Sequence, residues 1–284
     1  MKNKSFSIVK NVKKQFSKYL GFIFNNIDFS KEFHSDLLEW VDEENRFYKI
    51  KHDDKEISNN LLFQEENKKI ITNNSINFLN GHAANNVLLW GARGTGKSSL
   101  VLSLYGELSK KYNFTMLEIK FSQIKYFPKI IRHIEKRNRK TFVFCDDFSF
   151  DCNDDNYILF KNTLEGSLRS HPDIIFYVTS NYRHLIKDNI EMDSNGTHSK
   201  DKIENFISLS DRFGIWLGFH NFSNQQFIKI VFSYCNLYNL KLDKEQIKKK
   251  ALEWSVQRGS NSGREAVNLV RYLLAENYNN YSNR

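Results

Sequence analysis

The chain has few prolines and cysteines and no long hydrophobic stretch. Its 284 residues include 2 prolines and 12 glycines, too few for a linker-rich or fibrous protein. The 3 cysteines show no paired spacing of the zinc-binding kind, and so small and odd a number is typical of a reducing compartment. No apolar run approaches the roughly 18 residues that span a bilayer, and the apolar part of residues 1–25 is too short for a signal-peptide core. We therefore expect a cytoplasmic protein without a transmembrane segment.

The residues that are present indicate a folded, basic protein. Hydrophobic residues make up 40% of the chain and aromatic residues 14%, which is enough for a packed core. The length suits one α/β domain with a small accessory domain. The net charge of +9 permits a nucleic-acid partner. However, the lysines are scattered over predicted helix faces, and no aromatic and basic strand face or helix-turn-helix pattern accompanies them.

Residues 91–98 match the phosphate-binding loop pattern G-x-x-x-x-G-K-[ST]. They follow an apolar run at 87–90 that predicts a buried strand, and a helical pattern begins at Lys97 within the motif. This order of strand, loop and helix is the context that the motif requires. The glycines let the backbone bend around a phosphate, the lysine reaches the β- and γ-phosphates, and the Ser98 hydroxyl coordinates Mg²⁺. An ordinary glycine-rich turn is the alternative, and this context disfavours it. The predicted ATP-binding residues are Gly91, Ala92, Arg93, Gly94, Thr95, Gly96, Lys97, Ser98 and Ser99.

A second pattern combines a short apolar strand with two carboxylates, Asp146 and Asp147. It follows the phosphate-binding loop by roughly 50 residues, with one predicted strand between them, which is typical of the Walker B motif. In that interpretation Asp146 holds Mg²⁺ and Asp147 orients and polarises the attacking water. A strand followed by an acidic turn is the alternative interpretation.

Three further polar residues occupy positions that suit phosphate chemistry. Asn181 ends a predicted strand, where its amide can bind the water or the γ-phosphate, or can simply cap a turn. Arg212 precedes the last predicted strand and is either an arginine finger or a partner of Asp211. Arg264 opens the last predicted helix, where a cation is unfavourable unless an anion such as phosphate lies nearby. We therefore predict Asp147, Asn181, Arg212 and Arg264 as the catalytic residues.

Short apolar runs alternate with helical patterns from about residue 61 onward. This alternation predicts an α/β core with a five-stranded parallel sheet sandwiched by helices. After residue 219 only helical patterns follow, with Ser223 and Asp243 as N-caps, which predicts an all-helical lid. The predicted strands are residues 87–90, 115–119, 142–146, 174–180 and 215–219. The predicted domains are a helical segment at 1–60, a nucleotide-binding core at 61–219 and the lid at 220–284.

The segments outside this core carry weaker patterns. Apolar residues recur at helical spacing near the N-terminus, with lysines between them, which predicts an amphipathic helix packed on its own core or serving as a surface anchor. Residues 36–40 predict a second helix, residues 52–60 a charged connection and residues 188–201 an exposed loop. The apolar positions of the first helix are Val9, Val12, Phe16, Tyr19, Leu20 and Ile23.

The order of these motifs along the chain resembles the AAA+ ATPases. It is similar in particular to one bacterial AAA+ subfamily of ATP-binding proteins of unknown function. The resemblance covers roughly residues 60–275 and is carried by blocks at 85–100, 144–150, 164–168, 179–185, 209–214 and 262–264. It implies that Asn181 is the sensor 1 residue, Arg212 a finger that reaches a neighbouring subunit, and Arg264 the sensor 2 arginine. Most AAA+ proteins have glutamate where this chain has Asp147, and this departure puts the turnover rate in question.

Together, the motifs and the resemblance predict a cytoplasmic MgATP hydrolase in which nucleotide state moves the lid. The finger implies a homo-oligomer, with a ring as the expected form, acting on an unidentified protein partner. Residues 125–127 lie near the pore-loop position of substrate-threading rings, but they also suit the packed start of a helix. The alternatives are a nucleotide-gated scaffold with negligible turnover, a P-loop kinase, and a DNA-associated ATPase of the helicase-loader kind. No Asn-Lys-x-Asp or Leu-Ser-Gly-Gly-Gln sequence follows the loop, which disfavours a GTPase and an ABC-type ATPase.

Overall fold

The apolar runs of the sequence form the centre of one mixed sheet. The computed structural model describes residues 35–50, 61–151, 154, 156–165, 172–186, 208–240 and 242–282. The strands are β1 (Ser35–Val41), β2 (Arg46–Lys49), β3 (Val87–Gly91), β4 (Phe114–Ile119), β5 (Thr141–Cys145), β6 (Ile174–Ser180) and β7 (Ile215–Phe219). The helices are α1 (Glu65–Leu79), α2 (Lys97–Leu108), α3 (Phe127–Glu135), α4 (Asn156–Glu165), α5 (Asn224–Leu237), α6 (Lys244–Arg258) and α7 (Gly263–Ser282).

The sheet has seven strands in the order β2-β1-β4-β5-β6-β3-β7. Every neighbouring pair is parallel except β1 and β2, which are antiparallel. The α/β sandwich and its five central parallel strands are therefore confirmed. The expected strand number was too low by two, because β1 and β2 extend the sheet beyond β4.

The central strands bury both faces, which explains why they appear in the sequence as continuous apolar runs. On one face, Val143 and Phe176 belong to the same core cluster as Ile130 of α3 and Phe160 of α4. On the other face, the alternate residues of the same strands pack with α1 and α2. That second cluster contains Phe142, Tyr177, Ile71, Leu100 and Leu104. Helices on both faces thus leave the ends of the strands as the place for a site.

The prediction of a helix at residues 36–40 is wrong, because these residues belong to strand β1. The pairing is non-local: Leu37 lies opposite Met116 of β4. An ion pair between Asp36 and Lys49 of β2 (3.0 Å) and another between Asp36 and Arg139 (2.9 Å) stabilise the same edge. The proposed helical segment at 1–60 therefore contains two strands of the core sheet, so the core begins upstream of residue 61.

Helix α1 has no strong signal in the sequence, because two of its buried residues are polar. Asn74 donates to the carbonyl of Asn85 (2.9 Å) and accepts from the Asn85 amide (3.0 Å). The Ser75 hydroxyl lies 2.6 Å from the Tyr177 hydroxyl inside the core. These long-range hydrogen bonds replace the apolar stripe that usually identifies a buried helix face.

Helices α5, α6 and α7 form the C-terminal lid around their own apolar cluster, which includes Phe227, Leu269 and Val270. Both predicted N-caps are confirmed: the Ser223 side chain accepts from Gln226, and the Asp243 side chain accepts from Glu245 and Gln246. No helix of the described residues is both long and apolar enough to cross a membrane. The expectations for residues 1–25, 52–60 and 188–201 lie outside the described residues.

Candidate active site

The predicted phosphate-binding loop connects the end of β3 to the start of α2. Gly91 has a φ of +126°, and a Cβ there would lie 2.0 Å from the Phe219 carbonyl oxygen, so only glycine fits. The Ala92 amide donates to that same carbonyl (2.8 Å) and joins the loop to the end of β7. Gly96, with a φ of +104°, is the N-cap of α2. These backbone conformations form a cradle at a helix N-terminus, the usual place for a phosphate.

Lys97 is the first residue of α2, and its side chain turns back over the loop. Lys97 is only 8% exposed. Its Nζ donates to the carbonyls of Gly91 (2.7 Å) and Ala92 (2.8 Å) and to Oδ1 of Asn181 (3.2 Å). Burial lowers the pKa of Lys97 to about 8. The carboxylates of Asp147 and Asp146 oppose this decrease, whereas the positive charges of Arg264 and Arg93 add to it. An anion in the cradle would favour the charged lysine.

Asp146 follows β5 and accepts hydrogen bonds from two hydroxyls. Ser98 donates to its Oδ1 (2.6 Å), and Thr179 at the end of β6 donates to the same oxygen (2.5 Å). The predicted pair of metal ligands, Ser98 and Asp146, is therefore adjacent although 48 residues separate them in sequence. A hydroxyl can bind a cation through its oxygen while its proton is still donated to a carboxylate.

Asp147 lies beside Asp146 in an unusual backbone conformation. Its φ is +54°, a left-handed conformation in which aspartate is tolerated better than most residues. Its amide donates to the Thr179 hydroxyl (2.8 Å), and its carboxylate accepts a hydrogen bond from the side-chain amide of Asn181. Lys97, Asn181 and Asp147 thus form one hydrogen-bonded chain across the predicted γ-phosphate position.

The lid closes over this chain through Arg264 at the start of α7. The Arg264 amide donates to the Gly94 carbonyl (3.2 Å), and a Cβ on Gly94 would lie 2.9 Å from the Arg264 Cβ. Between the core and the lid lies a cleft of about 570 Å³ lined by the loop, both carboxylates, Asn181 and Arg264. Arg93, one of the loop residues predicted to bind ATP, also lines this cleft.

Further residues line the cleft that sequence reasoning missed. They include Leu61, Leu62, Tyr234, Tyr238 and Arg271. The sequence signal for these residues was only their spacing: Tyr234 of α5 and Tyr238, the C-cap of that helix, lie four residues apart, and Arg271 lies seven residues after Arg264 on α7. The same spacing is typical of ordinary packing residues in an amphipathic helix, so it did not by itself indicate a binding site.

Two sequence candidates lie outside this cleft. Arg212 pairs with Glu165 at the end of α4 (Nη2 to Oε1, 2.7 Å), and its side chain is 47% exposed. The alternative interpretation, an ion pair between Arg212 and Asp211, is therefore not what the structure contains. Phe127 is the first residue of α3 and is fully buried in the core, whereas Lys125 and Tyr126 end a short 3₁₀ helix (Phe121–Tyr126), where Lys125 is exposed and Tyr126 half-buried.

The residues that line the cleft fit a magnesium nucleotide. Arg93, Lys97, Arg264 and Arg271 outnumber the two carboxylates, which suits an anion. Among the described residues no group of three or more His, Cys, Asp and Glu side chains forms a metal site of its own. Magnesium is commonly held by one or two carboxylates together with substrate phosphates, and a hydroxyl and carboxylate pair such as Ser98 and Asp146 suits this arrangement.

Comparison with known proteins agrees with this geometry. A family model described as "Protein of unknown function (DUF815)" matches residues 34–277. No curated protein matches the chain. Among solved structures, a mutant of Thermotoga maritima RuvB is 16% identical with a TM-score of 0.51, and the match covers 73% of this chain and 61% of RuvB. The chain thus spans about three fifths of the length of RuvB.

Two further solved structures share the fold. The Aeropyrum pernix Orc1 protein, solved in complex with DNA, is 13% identical with a TM-score of 0.56, and the match covers 74% of this chain and 58% of Orc1. A DNA replication initiation factor is 16% identical with a TM-score of 0.51, and the match covers 81% of this chain and 68% of that protein. At these identities the likeness establishes the AAA+ fold.

Proposed function

The chain belongs to the DUF815 family and has the AAA+ fold, and we propose that it binds MgATP between its core and its lid and hydrolyses it. One observation carries this proposal. The loop cradle, the Ser98 and Asp146 pair and the chain from Lys97 through Asn181 to Asp147 converge on one cleft that the lid covers. This arrangement places positive charge and hydrogen-bond donors where a triphosphate ends.

In this proposal each group performs one task in an in-line attack by water. Lys97 and Arg264 neutralise phosphate oxygens, and Ser98 and Asp146 hold the metal ion. A Mg²⁺ ion held there would supply charge neutralisation to the phosphate groups. Asp147 accepts a hydrogen bond from the attacking water, and Asn181 fixes the carboxylate that does so. Catalysis rests on positioning and charge, because the loose transition state requires little covalent chemistry from the protein.

A nucleotide-gated scaffold is the second candidate, and the short side chain at position 147 favours it. Asp147 is one methylene shorter than the glutamate expected there, and in this structure its carboxylate is bound to Asn181. Such a protein would bind ATP, change its lid position and release phosphate negligibly. It would still present a nucleotide-dependent surface to a partner.

We expect free phosphate release when the purified chain is incubated with MgATP and no acceptor molecule. Hydrolysis by water requires nothing else, whereas a kinase needs an acceptor for the phosphoryl group. Single-turnover measurement, with protein in excess over ATP, detects even a slow reaction. Bound ATP that survives unchanged would favour the scaffold, and release that depends on an added acceptor would favour the kinase.

Arg212 supports a homo-oligomer in the proposal, because it lies outside its own cleft and is half exposed. An arginine at a subunit boundary can supply charge-assisted donors to the phosphates of a neighbour. We therefore expect a non-hydrolysable ATP analogue to shift the sedimentation coefficient from that of the 33.7 kDa chain to that of an oligomer, with a ring as the expected form. A monomer in ultracentrifugation that retains full phosphate release would rule out a role for Arg212 between subunits.

A further inference from the structure

Thr179 makes three contacts with the turn that carries the two carboxylates. Its hydroxyl donates to Oδ1 of Asp146 (2.5 Å) and accepts from the Asp147 amide (2.8 Å), while its carbonyl accepts from the Phe148 amide (2.8 Å). The residue is 1% exposed. One side chain at the end of β6 therefore fixes two consecutive catalytic candidates at once.

The sheet register explains why this residue meets both carboxylates. Cys145, the last residue of β5, lies opposite Val178 of β6, so Thr179 comes level with Asp146 where β5 ends. A parallel ladder would continue there with backbone hydrogen bonds alone. Instead the chain turns at Asp147, and the threonine side chain provides the acceptor for its amide.

The contact with the Asp147 amide stabilises a conformation that is otherwise unfavourable. A left-handed backbone is unfavourable for a non-glycine residue, and it persists only where its surroundings hold it. At Asp147 this conformation accompanies the hydrogen bond between the carboxylate and Asn181. Without the acceptor at position 179, the turn would lose one of the groups that select this conformation.

The contact with Asp146 has a separate effect on the metal pair. Thr179 and Ser98 both donate to Oδ1 of Asp146, and together they restrain the orientation of this carboxylate. Partners that orient ligands in this way commonly change metal affinity or activity by about 10–100-fold when they are removed. The two contacts of Thr179 thus act on different parts of the same reaction.

We propose that Thr179 is a positioning residue for ATP hydrolysis, whose hydroxyl holds Asp146 for the metal and Asp147 for the water. This inference rests on the proposed function. Thr179 lines the cleft, but both hydrogen bonds of its hydroxyl go to Asp146 and Asp147, so its removal should change turnover more than nucleotide affinity.

The test compares three substitutions in the full chain. Thr179→Val keeps the branched shape and removes the hydroxyl, whereas Thr179→Ser keeps the hydroxyl. Thr115→Val is the matched control, because Thr115 is also a buried strand threonine (2% exposed) and its hydroxyl has no hydrogen-bond partner among the described residues. For each variant we would measure kcat and KM for MgATP, and the hydrogen exchange rate of the Asp147 amide without nucleotide.

We expect Thr179→Val to lower kcat by about 10–100-fold with KM little changed, and to accelerate exchange of the Asp147 amide. Thr179→Ser and Thr115→Val should resemble the unmodified chain in both measurements. Wild-type kcat and exchange in Thr179→Val would overturn the inference, as would a Thr179→Ser variant as impaired as Thr179→Val. If the unmodified chain hydrolyses no ATP, the proposed function fails, while amide exchange still decides whether Thr179 holds the turn.

Discussion

Replacement of Lys97 by alanine should abolish MgATP binding that is measurable by calorimetry. Lys97 is buried in the cradle, and truncation of one partner of a buried, charge-assisted contact typically costs about 2–5 kcal/mol, which is at least about 30-fold in Kd. The variant also removes the lysine donor from the carbonyls of Gly91 and Ala92, the second of which keeps its hydrogen bond from the Thr95 hydroxyl (2.7 Å). This is the largest effect that we expect on nucleotide affinity.

A matched surface variant separates loss of the site from a general loss of charge. Lys69→Ala removes one positive charge from the exposed side of α1, outside the cleft, and should bind MgATP as the unmodified chain does. Thermal unfolding without nucleotide would establish that Lys97→Ala is folded. Unchanged MgATP affinity in a folded Lys97→Ala protein would contradict the assignment of this loop as the phosphate site.

Replacement of Asp147 by asparagine should leave MgATP binding intact and reduce hydrolysis by about 10²–10⁴-fold, the usual contribution of a positioned general base. The amide retains the size of the side chain and can still bond to Asn181, but it cannot take a proton from water. A rapid-quench measurement of single turnover reports this effect directly. The resulting ATP-bound protein would also be a suitable bait for its unidentified partner.

The control for this variant is Asp173→Asn. Asp173 is an exposed carboxylate paired with Lys140 near the opposite ends of the strands, so its loss should leave turnover unchanged. Hydrolysis by Asp147→Asn at the rate of the unmodified protein would exclude Asp147 as the base. Loss of MgATP binding in the same variant would instead mean that Asp147 serves the metal ion.

The part of the molecule that the sequence predicted best is the part buried on both faces. The bounds of β6, whose residues are all buried, were predicted to the residue, because this largely apolar run lies between the polar residues Asp173 and Asn181. The loop motif and the acidic strand end likewise predicted the contact between Ser98 and Asp146. In both cases the pattern is local, so neighbouring residues are sufficient to identify it.

The missed elements depend on contacts that are distant in the chain. Strand β1 is stabilised by pairing with β4, some 80 residues later, and by the ion pairs of Asp36. Helix α1 buries Asn74 and Ser75 against partners that the local pattern does not contain. The lid side of the cleft is lined by side chains of α5 and α7, which become neighbours only when the lid folds. Thr179 was overlooked for the same reason.

The hydrogen bond between the Ala92 amide and the Phe219 carbonyl has a mechanical consequence. It attaches the cradle to the last residue of β7, only a few residues before α5 leads into the lid. With a rise of about 1.5 Å per residue, α5 is about 21 Å long, so a rotation of about 10° at its base moves its tip by about 4 Å. If the proposed nucleotide site is correct, a small adjustment of the cradle around a phosphate would therefore be amplified at the far end of α5.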